Sequence, residues 1–133
     1  MTLMATQYFG APYRWGANGP FEFDCSGLAI KVLHDIGYTL PDQTAQGIYE
    51  WAIKKFDQLN EPESDTLLFF GKDLLEIDHV AIGVDEQYMI EAGGAGADSL
   101  NMTKDQLAHR DARVRMKPIK NRRDFLVAVK IKY

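Results

Sequence analysis

The sequence contains one cysteine and three histidines, the residue types from which a thiol-based catalytic pair could be built. Cys25 immediately precedes residues 26–36, the clearest helical pattern in the chain, for which Asp24 is the expected N-cap and Gly37 the stop. A thiol at a helix N-terminus meets the positive end of the helix dipole and unpaired backbone N–H groups, and both favour the thiolate. An inert buried cysteine has no reason to occupy this place, so we predict that Cys25 is a nucleophile.

A thiolate nucleophile needs a partner for proton transfer, and the three histidines differ in their suitability. His34 lies about 13 Å further along the same helix, which is out of reach. His109 stands in a charged stretch and is expected to be solvated. His79 opens an alternating strand in which it shares a face with Ala81 and Gly83, and these small residues leave room for a helix end and a ligand. His79 is therefore the predicted base.

The second ring nitrogen of His79 needs an acceptor that fixes its tautomer and stabilises the imidazolium. Glu91 stands on the next predicted strand. Direct pairing of residues 79 and 91 requires a connection with an odd number of residues centred on Asp85, whereas a two-residue turn at 85–86 would place Glu91 on the opposite face. Asp78 adjoins His79 but points away from it by strand alternation. Glu91 is thus the predicted orienting residue.

The elements that must position these residues are helices in the first half of the chain and strands in the second half. A second helix is expected after Pro41, with either Asp42 or Thr44 as its cap. Its apolar positions at helical spacing are Ile48, Trp51, Ala52, Phe56 and Leu59. A short helix is also expected over residues 2–9.

After Pro62 the periodicity changes to short runs of β-forming residues separated by turns. Strands are expected over residues 66–70, 77–84, 87–92, 113–119 and 125–132. Helices that precede strands in this way indicate an α+β fold, with the N-terminal helices packed on an antiparallel sheet of five or six strands. The Gly-rich residues 93–97 lack the Gly-Lys-Ser/Thr ending of a phosphate-binding loop and are expected to form a flexible loop.

Length and composition predict one globular unit. The chain has 133 residues, of which 46% are hydrophobic and 26% charged, enough for one core and too few for two, so we expect a single catalytic domain over residues 1–133. No apolar run reaches the roughly 18 residues of a membrane helix, and the first residues lack the pattern of a signal peptide. One cysteine and three histidines offer no paired zinc-ligand spacing, so no metal and no other cofactor are expected.

Charge is distributed unevenly along the chain. Residues 1–103 carry 5 basic and 16 acidic side chains, whereas residues 104–133 carry 10 basic and 3 acidic ones. The basic end could attract nucleic acid or an anionic cell wall. However, Arg113, Arg115 and Lys117 alternate with less polar residues, as on the wet face of a half-buried strand. Because the acidic body would repel phosphate, nucleic-acid binding ranks last among the possible functions.

Several segments resemble the NlpC family of cell-wall cysteine peptidases in content, order and spacing, over about residues 5–92. These segments are Tyr13-Arg14-Trp15-Gly16, Phe23-Asp24-Cys25-Ser26-Gly27-Leu28, Leu40-Pro41, Asp65-Thr66-Leu67-Leu68-Phe69-Phe70 and His79-Val80-Ala81-Ile82. The resemblance implies a papain-like α+β fold in which Cys25 at the helix start meets His79 on the sheet. It also implies hydrolysis of peptidoglycan stem peptides, typically between γ-D-glutamyl and diaminopimelate or lysine.

The resemblance further implies roles for the neighbours of this pair. The hydroxyl of Tyr13 would stand beside the thiol and help to stabilise the oxyanion. Asp24 and Ser26 would line the pocket for the N-terminal side of the substrate. The third polar residue of the family, commonly His, Asn or Gln, corresponds to Glu91 here.

Other interpretations of the same residues stay open. An N-acetylmuramoyl-L-alanine amidase would use the same Cys25–His79 site, and related folds often orient the histidine with a glutamate such as Glu91. The protein could also be a catalytically inactive wall-binding or phage tail module, an interpretation that the acidic residues 1–103 and the basic residues 104–133 favour. The last forty residues weakly resemble short phage-borne family members. A phage tail, a virion or cell lysis would then deliver the protein from the cytoplasm to the bacterial cell wall.

Overall fold

The computed structural model describes residues 1–133, and it consists of helices packed on one antiparallel sheet. The helices are α1 (Thr2–Thr6), α2 (Cys25–Asp35), α3 (Ala45–Ile53) and α4 (Lys104–His109). The strands are β1 (Gln58–Leu59), β2 (Thr66–Gly71), β3 (Ile77–Gly83), β4 (Tyr88–Gly93), β5 (Arg113–Pro118) and β6 (Phe125–Lys130). They are arranged in the order β1-β6-β2-β3-β4-β5. The predicted α+β class is confirmed, and the antiparallel sheet has six strands where five or six were predicted. None of the helices has the length and apolarity to cross a membrane.

Helix α2 begins where its sequence signals predict. Asp24 has extended backbone angles and its carboxylate accepts a hydrogen bond from the Gly27 N–H at 2.7 Å, which satisfies one of the unpaired donors of the first turn. The helix ends before Gly37, whose φ of 108° lies in the left-handed region that favours glycine. Its apolar residues, including Leu28 and Val32, are buried against the sheet.

Helix α3 is shorter than its apolar spacing predicts. Thr44 is its cap, which decides between the two possibilities, and the helix ends at Ile53. The assignment of Leu59 to this helix was wrong, because Leu59 belongs to β1 and pairs with Ala128 of β6. Phe56 lies beyond the helix end but still packs against the core. Similarly, α1 ends at Thr6 rather than at residue 9.

The sheet is covered on both faces. Val80 and Ile82 of β3 enter the large core beneath the helices, as predicted. Ala81 and Phe70 belong to a smaller cluster on the other face, together with Ile119 from the single turn of 3₁₀ helix over 119–121. This second face is therefore a small core of its own rather than a solvated surface.

The connection between β3 and β4 is centred one residue later in the chain than predicted. Ile82 pairs with Ile90 and Gly83 with Met89, so the connection is centred on residue 86 and not on residue 85. Continued along the strands, this register places residue 81 opposite Glu91, and the expected direct pairing of residues 79 and 91 was wrong. The connection still has an odd number of residues, and for this reason His79 and Glu91 share a face as diagonal neighbours.

Candidate active site

The half-buried thiol of Cys25 is carried by the first residue of α2. The preceding loop packs tightly against this helix start, since Asp24 donates its N–H to the Ala17 carbonyl at 2.9 Å. A Cβ at Gly27 would lie 2.1 Å from the same carbonyl oxygen, so only glycine permits this approach. The Asp24 carboxylate also accepts from the Gly16 N–H at 2.9 Å and from the Ser26 hydroxyl at 3.2 Å. Local hydrogen bonds therefore fix the helix end that bears the thiol.

His79 is 7% exposed and lies on β3, where its Nε2 donates to Glu91 Oε1 at 2.8 Å. The ring also contacts Phe70, at 5.5 Å between ring centroids. Because Glu91 engages Nε2, the other ring nitrogen, Nδ1, is left to exchange a proton with the thiol. Cys25 and His79 line the same cavity.

The electrostatic surroundings favour a protonated imidazole. Burial lowers the pKa of His79, but the neighbouring Cys25 thiol and the Glu91 carboxylate outweigh it and raise the pKa to about 9. For Glu91, burial raises the pKa, and the His79 ring and the Arg115 guanidinium more than compensate, so that the pKa lies below its ordinary value. The buried site therefore holds an imidazolium flanked by a carboxylate at neutral pH.

Tyr13 is buried next to the thiol and lines both cavities that open onto it. Its backbone pairs with Phe23, which fixes the ring beside the start of α2. Burial raises the pKa of Tyr13, and the nearby Cys25, Asp24 and Asp98 side chains raise it further. The phenol hydroxyl consequently keeps its proton and can donate it to an anion formed at the site.

Two cavities, of about 520 and 440 Å³, meet at Cys25, and Tyr13, Trp15 and Asp78 also line both. The larger one, the mixed cavity, has charged side chains of both signs: Asp78, His79, Glu91, Arg115, Lys117 and Arg122. The smaller one, the acidic cavity, also contains Ser26, and its only charged side chains are those of Asp24, Asp42 and Asp78. The two sides of the thiol therefore differ in charge, because basic side chains line only the mixed cavity.

This site and fold agree with the comparison to known proteins, in which residues 10–116 match the sequence profile of the NlpC/P60 family. The chain belongs to the NlpC/P60 family. Solved structures of this family include proteins named as peptidoglycan hydrolases, and the expected family resemblance is confirmed.

Two curated NlpC/P60 relatives are named as peptidases. The probable endopeptidase p60 of Listeria grayi is 32% identical over 98 residues, which are 74% of the chain and 18% of that protein. The γ-D-glutamyl-L-lysine dipeptidyl-peptidase of Bacillus subtilis is 34% identical over 68 residues, 48% of the chain and 21% of that protein. The chain thus spans about a fifth of the length of these relatives.

A solved NlpC/P60 structure demonstrates that the fold also occurs without catalysis. RipD of Mycobacterium tuberculosis, described as a non-catalytic NlpC/p60 domain protein adapted to peptidoglycan binding, matches with a TM-score of 0.68 at 18% identity. The match covers 98% of the chain and 93% of RipD. At this identity the likeness establishes the fold alone.

The fold brings the predicted catalytic residues together and leaves the two rejected histidines outside the site. Cys25, His79 and Glu91 converge on one cavity. His34 and His109 are exposed, as expected. Asp78 lines the same cavity but pairs with Arg122 at 3.5 Å, whereas His79 forms its hydrogen bond with Glu91.

One residue of the NlpC/P60 site was missed by the sequence analysis. Arg115 was assigned to the wet face of β5, but its side chain is only 15% exposed and lies 3.0 Å from the Glu91 carboxylate. The wet-face interpretation was wrong at this position because Arg115 is the direct partner of Glu91 in the β4–β5 register. Opposite charges facing each other across neighbouring strands were the available signal.

Proposed function

We propose that the protein is a cysteine endopeptidase that hydrolyses peptidoglycan stem peptides, with residues 1–133 acting as its catalytic domain. The observation that carries this proposal is the meeting of a thiol at the start of α2 with a buried histidine whose Nε2 is held by a carboxylate at 2.8 Å. Thiolate and imidazolium together form an activated nucleophile with its own general acid. The peptidase names of the curated relatives support the same reaction class.

In the first step the Cys25 thiolate attacks the carbonyl carbon of the scissile amide. Backbone N–H groups at the start of α2 and the Tyr13 hydroxyl donate to the resulting oxyanion. His79 gives its Nδ1 proton to the leaving amine, the C–N bond breaks, and an acyl-enzyme remains on the sulfur.

In the second step water enters the space vacated by the amine. His79, now neutral, accepts a proton from this water as it attacks the thioester carbon. The C–S bond then breaks, the stem-peptide fragment leaves with a new carboxylate, and the thiolate–imidazolium pair is restored. Glu91 retains its charge throughout and stabilises the imidazolium in the resting enzyme.

The scissile bond in this proposal joins γ-D-glutamyl to diaminopimelate or lysine. The Bacillus subtilis relative, a γ-D-glutamyl-L-lysine dipeptidyl-peptidase by name, supports this choice. The acidic cavity would receive the acyl side of the substrate, because its carboxylates suit the free amine of a stem peptide. Asp24 and Ser26 lie on this side of the thiol, where the family resemblance places the N-terminal part of the substrate.

The test is a digest of purified sacculi followed by mass spectrometry. An endopeptidase exposes the amine of the third stem residue, whereas an amidase exposes L-Ala amines on intact stems. Cys25→Ala is the control and should release neither product. Intact sacculi that bind the protein without any cleavage would overturn the proposal in favour of a binding module such as RipD. Association with a phage tail stays a prediction.

A further inference from the structure

Glu91 is engaged at both carboxylate oxygens by residues from the two neighbouring strands. Oε1 accepts from His79 on β3 at 2.8 Å. Oε2 accepts from Arg115 on β5 twice, from Nη2 at 3.0 Å and from Nε at 3.2 Å. Both N–H groups of the guanidinium converge on Oε2 while His79 engages Oε1, so the carboxylate is restrained at both of its oxygens.

Arg115 is itself anchored on the far side of its guanidinium. Its Nη1 donates to the Asp111 carbonyl at 2.9 Å and to Asp111 Oδ2 at 3.2 Å. Asp111 occupies the turn before β5 with a φ of 55°. A continuous series of hydrogen bonds therefore runs from this turn through Arg115 and Glu91 to the imidazole of His79.

The end of β4 leaves space for this ion pair. A Cβ on Gly93 would lie 2.9 Å from Glu91 Oε2 and 3.2 Å from Arg115 Nη2. The absence of a side chain at residue 93 thus permits the two charged groups to meet inside the sheet.

We propose that Arg115 is a positioning residue of the active site, which orients the Glu91 carboxylate and through it holds the imidazole of His79 in place. This inference rests on the proposed function. Arg115 acts through Glu91 and does not need to touch the substrate. Replacement of the guanidinium would leave a buried carboxylate with one partner fewer, and its protonated form would gain stability.

The pH dependence of this arrangement involves every charged group around it. Those groups are Cys25 from α2, Asp78 from β3, Asp111 from the turn before β5, Arg115 and Lys117 from β5, and Arg122 and Asp124 from the segment before β6. Among these, only Arg115 donates to Glu91. Its loss should therefore raise the pKa of Glu91. A carboxylate that is no longer held in place also forms a poorer hydrogen bond with His79, and this should lower the pKa of His79.

The test compares Arg115→Met, Arg115→Lys and the control Arg113→Met on a soluble stem peptide. Arg113 lies on the same strand and also pairs with Asp111, but its side chain is 45% exposed and it donates no hydrogen bond to Glu91. For Arg115→Met we expect kcat to fall about 10- to 100-fold with little change in KM, because misplacement of catalytic groups costs rates of this order. The basic limb of the kcat profile should move to lower pH. Arg115→Lys should recover part of the rate, and Arg113→Met should leave it unchanged.

A second comparison introduces Arg115→Met into a protein that already carries Glu91→Gln. It distinguishes a role of Arg115 through Glu91 from a direct catalytic role or a general structural role. If Arg115 acts through Glu91, adding Arg115→Met to Glu91→Gln should cause little further loss of kcat. An equal loss in both backgrounds, or an unchanged pH profile in Arg115→Met, would overturn the inference. Circular dichroism of each variant identifies any that fails to fold, and Arg115→Lys then carries the comparison.

The titration of His79 followed by NMR provides a readout that does not need turnover. Arg115→Met should lower the pKa of His79, whereas Arg113→Met should not. If the wild-type protein cleaves no stem peptide but this shift occurs, the proposed function fails and the positioning role stands. If cleavage occurs without the shift, the positioning role fails and the proposed function stands.

Discussion

The two halves of the active site are held in place by different means. The helix half, Tyr13 to Leu28, is contiguous in sequence, and the start of α2 within it is fixed by short-range hydrogen bonds such as those of the Asp24 cap. The sheet half comprises His79, Glu91 and Arg115, which come from three strands and meet through register and buried ion pairs.

Because of this difference, substitutions in the two halves should affect the rate and its pH dependence in different ways. Changes in the helix half act on the nucleophile and the oxyanion, so they should alter rates at every pH. Changes in the sheet half act on buried charges, whose ionisation depends on their partners, so they should alter the pH profile as well as the rate. The predictions below test this division, from the largest expected effect to the smallest.

The largest effect is expected for Cys25→Ala in the helix half. Without the sulfur no acyl-enzyme forms, and hydrolysis of stem peptides should fall by about 10⁴-fold or more. Cys25 is only half-buried and alanine is compatible with the first turn of a helix, so the free energy of unfolding should change by less than about 1 kcal/mol. Turnover assays and urea denaturation measure both quantities. Turnover close to that of the wild type would rule out Cys25 as the nucleophile.

Tyr13→Phe should have the next largest effect. It removes one donor to the oxyanion and leaves the buried ring in place, so kcat should fall by about 10²- to 10³-fold. The loss should be the same at all pH values, because the pKa of Tyr13 is raised and its hydroxyl stays protonated. A steady-state pH series with the variant measures this. A loss confined to one limb of the profile would contradict the division between the halves.

The sheet half should set the basic limb of the pH profile. Because the pKa of His79 in the free protein is raised to about 9, kcat/KM should decline above that pH by about tenfold per unit as the imidazolium is lost. In Cys25→Ala the pKa of His79 should be lower than in the wild type, since one of the groups that raise it is absent. NMR titration of the ring in both proteins measures the difference, and identical titrations would show that the thiol and imidazole are not coupled.

The protonation of His79 also makes the free energy of unfolding depend on pH, and the direction of this dependence follows from the raised pKa of His79. The folded-state pKa of His79 lies above its ordinary value of 6.5, so the folded protein binds this proton more tightly than the unfolded chain. The contribution is fully present below about pH 6.5 and is lost as the pH rises through about 9. His79→Gln should lack this component of the pH dependence in urea titrations. A wild-type curve that matches the variant curve across this range would contradict the assignment.

The smallest effect is expected from the helix cap. Asp24→Ala removes the acceptor of the Gly27 N–H and should lower the free energy of unfolding by about 1 kcal/mol. Asp24→Asn is the matched control, because its side-chain oxygen can still cap the helix while the charge is gone. Chemical denaturation of both variants gives the difference. Equal destabilisation by both would indicate that charge rather than capping stabilises this helix end.

The sequence predicts the helix half well because its determinants are local. Asp24 and Gly37 mark the start and stop of α2 by capping chemistry alone, and the structure places the helix over Cys25–Asp35, one residue earlier at each end than the predicted 26–36. The same local approach fails for α3, where Leu59 continues the apolar spacing but belongs to β1. Spacing does not distinguish a longer helix from a turn followed by a short edge strand.

The sheet half is less predictable because register is a long-range property. Glu91 was placed on the correct face with a register centred one residue too early, since an odd connection at either position gives the same face. Arg115 was missed because β5 follows β4 only after an intervening helix and turns, and nothing within residues 113–119 reveals which residue each side chain faces. A buried pair between strands becomes visible only when the strands are aligned.

The open space at Gly93 has an evolutionary consequence. Any side chain there would displace the Glu91–Arg115 pair, so positions 91, 93 and 115 are expected to vary as a unit among homologues. A family member with a neutral residue at the position of Glu91 has no need of the arginine and is free to carry a larger residue in place of the glycine. Exchange of all three positions together, rather than one at a time, is thus the route by which a homologue would alter its histidine partner.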